Sequence, residues 1–102
     1  MTIFVGRTGG GFLKFLKKNN LNTIEPEILA DYVRRAIINF EKDDRDASNR
    51  LLNEIWDLVG CKDHDMALEV TRQFAKLCDM YRSILQELFG KVNLSEELER
   101  NI

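Results

Sequence analysis

Three stretches of this 102-residue chain hold residue types that could do chemistry, and each lacks a necessary part. Residues 6–11, GRTGGG, set Gly6 and Gly11 at the separation found in a phosphate-binding P-loop. Such a loop needs a lysine and a hydroxyl directly after it, for the phosphate and its magnesium; Phe12 and Leu13 stand there instead. What remains is a looser nest of glycine N–H groups beside Arg7, an anion-binding candidate weighed against the simpler reading of a hinge. Residues 61–65, CKDHD, bring together a thiol, an imidazole and two carboxylates, but nothing elsewhere completes a tetrahedral metal set at a recognisable spacing. Helix capping accounts for these aspartates without a metal. For a Cys61–His64 nucleophile pair, neither an oxyanion donor nor an orienting partner can be named. Residues 43–46, DDRD, suggest a calcium loop, yet the mid-loop glycine is missing and Glu54 closes no proper register. The expectation is therefore a protein that is not an enzyme and carries no metal or cofactor.

Charge is unevenly spread. Residues 1–22 hold Arg7, Lys14, Lys17 and Lys18 and no acid, while the rest of the chain carries a net −6. These four basic residues are the candidate anion-binding set, for a nucleotide phosphate or for nucleic acid. Four charges give weak, salt-sensitive phosphate binding, and the acidic remainder opposes it. A basic segment on an acidic body can also dock on its own body or on a neighbour. Residues 12–18, FLKFLKK, look like a membrane-surface helix in miniature, but two turns bury too little apolar area to anchor. No apolar run is long enough to span a bilayer, and residues 1–20 lack the order of a signal peptide. Two cysteines without such a signal point to a reducing, cytoplasmic setting with no membrane contact.

The elements that position these residues are helical. A composition with 44% hydrophobic and 31% charged residues is that of a globular chain, and a single proline favours helix. The dominant stretch is 65–89. Its apolar positions Ala67, Val70, Phe74, Leu77, Tyr81, Ile84 and Leu88 alternate spacings of three and four, which sets them on one helical face. Met66, Cys78, Met80 and Leu85 widen that face beyond the narrow seam of a two-stranded coiled coil. Asp63 or Asp65 can cap its start and Gly90 its end. Upstream, residues 25–41 form a helix entered through Pro26, with Leu29, Val33, Ala36 and Phe40 in one row and Ile28, Tyr32 and Ile37 beside it. Residues 46–59 form another, ended by Gly60. Between them, KDDRD at 42–46 is expected to turn, because aspartates favour caps over helix interiors. The apolar row keeps a helical period straight through KDDRD, so one unbroken helix over 25–59 is the competing reading. A short basic helix over 12–19 follows a flexible Gly-rich arm, 1–11, and a short tail helix over 95–101 closes the chain.

Residues 36–55, AIINFEKDDRDASNRLLNEI, resemble the helix-turn-helix of a tetratricopeptide repeat in cadence. That repeat's tryptophan, glycine and proline signature is absent and no second copy recurs at its period, so the resemblance implies a helical hairpin and no family.

The fold expected is all-α: one domain, with three main antiparallel helices plus a short helix at either end. A length argument then gives a function. The helices over 25–41 and 46–59 are each about 22 Å long, and the one over 65–89 about 38 Å. If the two shorter helices pair from the head of the longer one, its far half is uncovered: Met80, Tyr81, Ile84, Leu85, Leu88 and Phe89. At roughly 1.5–3 kcal/mol per large apolar side chain, such a surface calls for a cover. The reading is a protein-binding regulatory or inhibitory module that pairs with itself as a homodimer, with another protein, or with both. An acidic helical body suits a basic partner.

Overall fold

The computed structural model describes residues 10–90. The expected arm over 1–9, with Arg7, and the expected tail helix over 95–101 lie outside the described residues. Among the described residues there are four helices: α1, Gly10–Lys18; α2, Pro26–Glu41; α3, Arg45–Val59; and α4, His64–Phe89. There is no strand among the described residues, and the protein is all-helical. No helix there is long and apolar enough to cross a membrane.

Local chemistry fixes where each helix stops. α1 ends because Asn20 takes a left-handed conformation, φ 58°, which lets the Leu21 N–H turn back onto the Leu16 carbonyl at 2.9 Å. The α2–α3 break falls at residues 42–44, so the helix does not run unbroken through KDDRD. Asp43 is left-handed at φ 53°, the Asp44 N–H donates back to the Asn39 carbonyl at 2.9 Å, and the Asp44 carboxylate accepts the Ala47 N–H at 3.0 Å. One aspartate thus ends a helix and the next begins another, which a short polar side chain can do and a branched apolar one cannot. Gly60, at φ 77°, closes α3. A Cβ there would meet the Asn22 amide at 3.2 Å, so glycine answers both the backbone and the close approach of the α1–α2 loop. Asn22 in turn donates its N–H to the Val59 carbonyl at 2.9 Å, which ties that loop to the end of α3.

The Asp63 carboxylate caps α4, accepting the Met66 N–H at 2.8 Å, and Asp65 adds negative charge to the first turn. Asp63→Ala is expected to cost about 1 kcal/mol, a fall in Tm of about 4–8 °C in a thermal melt monitored by circular dichroism. Asp65→Ala should cost less, because its carboxylate makes no capping bond.

All four helices contribute to one buried cluster, with Leu16 of α1, Val33 and Ile37 of α2, Leu51 and Ile55 of α3, and Val70 and Phe74 of α4 at its centre. Each helix also has a specific tie. The Phe12 ring meets the Phe74 ring edge-on, centroids 6.0 Å apart. Arg35 links α2 to α3 through Glu54 at 3.1 Å while its guanidinium lies 5.1 Å from the Tyr32 ring centre. The Trp56 indole N–H donates to the Thr71 hydroxyl at 3.0 Å, and that hydroxyl donates to the Ala67 carbonyl at 2.8 Å, joining α3 to α4.

Cys78 sits inside this cluster as a free thiol. Burial, with the Asp79 charge adding to it, pushes its pKa from 9.0 up to about 12. A folded-state pKa above the unfolded one means stability is complete below pH 9 and is lost as pH rises towards 12. From this thiol alone the loss should be roughly 1 kcal/mol per pH unit in that window. Denaturant titrations at pH 8 and pH 10 should show a smaller drop for Cys78→Ala than for the parent chain. Equal drops would mean that the thiol ionises freely in the folded protein.

Candidate protein-binding surface

The far half of α4 divides in two. Tyr81 and Leu85 are buried, 2% and 3% exposed, whereas Met80 and Ile84 are 48% and 36% exposed. The side chains of Leu88 and Phe89 lie outside the described residues. The expected surface of six apolar side chains is therefore corrected: Tyr81 and Leu85 do not belong to it, because the chain covers them itself. The physical reason is where α2 docks. It does not lie beside the head of α4 but crosses its far half. Glu41, at the last turn of α2, reaches Arg82 at 2.9 Å. The Arg34 guanidinium, two turns earlier, lies near enough to the Tyr81 phenol to offset part of the rise that burial imposes on its pKa. Arg34 and Glu41, two turns apart on α2, thus both face the Tyr81–Arg82 stretch of α4. Helix length did not limit the cover, since a crossing helix needs no matching length.

Met80 and Ile84 occupy the flank of α4 away from Arg82. They sit one turn apart and form adjacent ridges on that side. Upstream on the same flank, at spacings of three and four, are Met66, Val70, Gln73 and Leu77. There α1 supplies the cover: Phe12 packs on Phe74, and Asn19, Asn20 and Leu21 share a cleft of about 190 Å³ with Met66. The lysine end of α1 thus lies at the head of α4 and its glycine end lies further along.

The candidate anion-binding residues are only partly placed. Lys14, Lys17 and Lys18 are exposed on the side of α1 opposite the buried Phe12 and Leu16, and Arg7 lies outside the described residues. Lys17 and Lys18 also fall in the last turn of α1, where the helix dipole favours cations without any ligand. His64 is exposed and Cys61 half-buried, its thiol pKa raised by burial and then by Asp63. Among the described residues no three metal-ligating side chains cluster.

Periodicity missed Phe40. It belongs to the same row as the buried Leu29, Val33 and Ala36, yet it is 52% exposed. It lines an open groove of about 360 Å³ with Asn39, Ser48, Asn49 and Leu52, at the turn between α2 and α3. Its position one residue before the end of α2 was the available signal, since the last member of a row can outrun the partner beneath it. Ile28, at the other end of α2, and Leu58 in α3 are exposed as well.

Comparisons with family models, with curated proteins and with solved structures return no match.

Proposed function

We propose that this protein acts by binding another polypeptide, as a small regulatory or inhibitory module, and that its contact surface is the Met80–Ile84 flank of α4. The observation that carries the reading is the pair itself. Two large apolar side chains, one turn apart, stand open on the far half of a helix whose inner face packs against α2, α1 and α3. A rigid helix presents them at little entropic cost, and methionine adapts to an irregular partner surface. The partner we favour is a second copy. One flank laid against its twin makes a self-complementary two-fold contact that needs no further protein. In this reading the chain is a single helical domain that acts in the cytoplasm without a cofactor. An acidic body makes a basic protein the alternative partner.

Light scattering of the full chain across concentrations tests the proposal. A dimer should form, and Met80→Lys with Ile84→Lys should convert it to a monomer with an unchanged melting profile, since both side chains sit at the surface. A parent chain that stays monomeric throughout would rule out the twin contact.

A second reading has one observation in its favour: three lysines on one exposed face of α1, following a glycine-rich segment. In it Arg7, Lys14, Lys17 and Lys18 grip a phosphate of a nucleotide or nucleic acid. Replacing all four with glutamine should abolish a phosphate-dependent thermal shift under this reading, and should leave the oligomeric state untouched under the first.

A further inference from the structure

We infer that two copies of this chain meet antiparallel along α4, with Met80 of each on Ile84 of the other and Lys76 of each paired with Glu87 of the other, resting on the preceding reading that a second copy covers this flank.

Room along α4 sets the limits. Upstream, α1 occupies the flank up to Phe74, with Phe12 on the Phe74 ring and Asn19 and Asn20 at the Met66 cleft. A second helix can therefore seat only on the part beyond, from Lys76 to Glu87, about 18 Å of helix. A parallel copy in register would set its own α1 against the first chain's α1, on the side where the two α4 axes must close to about 8–10 Å. An antiparallel copy sets the two α1 helices at opposite ends of the contact, clear of each other.

Charge then fixes the register. Lys76 and Glu87 are exposed, and neither has an ion-pair partner among the described residues. Glu69, an earlier charge on the same edge, is already held by Arg72 at 2.9 Å. Eleven residues separate Lys76 from Glu87, three turns to within about 20°. Both therefore stand on one line, along the edge of the flank away from the buried Leu77 and Leu85. Equal edges face each other across an antiparallel two-fold, whereas in a parallel pair each edge faces the opposite one.

A single two-fold axis satisfies both kinds of contact. Placed at the level of Arg82, midway between Met80 and Ile84, it lays each of these side chains on the other's counterpart in the second copy. The same axis brings Glu87 of the second copy to the level of Leu77, one residue and about 1.5 Å from Lys76, well within the reach of a lysine side chain. The apolar pair supplies the contact, and the charged edge selects its orientation.

Charge reversal, followed by light scattering of the full chain near the parent's dissociation constant, tests this. Lys76→Glu alone sets carboxylates against each other at both edges, and Glu87→Lys alone sets ammonium groups there. Each should raise the dissociation constant about tenfold, with an unchanged melt because both side chains are exposed. An equimolar mixture of the two variants should recover the parent's association, since every edge then meets its opposite charge. The chain carrying both substitutions should recover it too. In a parallel pair neither reversal would matter. Single reversals that leave the dimer intact, while Met80→Lys with Ile84→Lys breaks it, would overturn the antiparallel register and keep the contact. Single reversals that weaken the dimer with no rescue in the mixture or in the double variant would also overturn it, by showing that Lys76 and Glu87 act apart. A parent chain monomeric at every concentration would overturn the register and the contact together.

Discussion

Phe74→Ala lowers the free energy of unfolding by about 3–5 kcal/mol, the range for removing a large aromatic side chain from a packed interior. Phe74 is fully enclosed and sits where α1 meets α4, with Val70 and Leu77 on the adjoining turns. Its loss removes apolar burial and leaves a cavity that four helices would have to close together. For a single domain whose whole stability is about 5–15 kcal/mol, that is a large share. Urea unfolding should show the midpoint moving far to the left with little change in slope. The Phe12–Phe74 pair adds a finer measurement. Phe12→Ala and Phe74→Ala combined should cost less than their sum, because each alone already forfeits the edge-to-face contact, worth about 0.5–1.5 kcal/mol. Strict additivity would mean that α1 does not dock on α4 in solution.

Tyr81→Ala is the second large effect, about 3 kcal/mol of lost stability, and it separates the buried side of α4 from the open one. Tyr81 lies under α2, while Met80, one residue earlier, is half exposed. Met80→Ala should then cost no more than about 0.5 kcal/mol in the melt. In light scattering the ranking should invert for the folded fraction, with Met80→Ala weakening association and the surviving Tyr81→Ala chain retaining it. Should both substitutions prove cheap in the melt, α2 would not cross the far half of α4.

The sequence made the helical class plain, and for physical reasons. Val70, Phe74, Leu77 and Tyr81 repeat at helical spacing, and that repeat says which side of α4 turns inward whatever lies against it. Capping was also readable, since Asp63 and Gly60 perform local chemistry that depends on few distant contacts. The break inside KDDRD was ambiguous because the apolar row runs through it. It resolves only when Asp43 goes left-handed and Asp44 caps α3. What the pattern could not disclose is which helix covers which stretch. The length argument assumed that α2 stays beside the head of α4, whereas α2 reaches Arg82 and Tyr81 and Leu85 are buried. A crossing angle arises from the fit of ridges on two particular helices, and no single-helix repeat encodes it. Phe40 illustrates the same limit from the other direction: it is in phase with buried residues but stands half exposed in the open groove at the α2–α3 turn. On the far half of α4, then, the repeat marked the residues as apolar, and tertiary packing decided that Tyr81 and Leu85 are buried while Met80 and Ile84 stand open.

The hydrogen bond between Trp56 and Thr71 has a practical consequence. Trp56 is the only tryptophan in the chain, half-buried and held at the α3–α4 contact, so the molecule carries one built-in fluorophore at a junction between two helices. Its emission should be blue-shifted while α3 is seated and should move red when that junction opens. Detachment of α3 could then be timed by stopped flow, without a dye, separately from events at the distant end of α4.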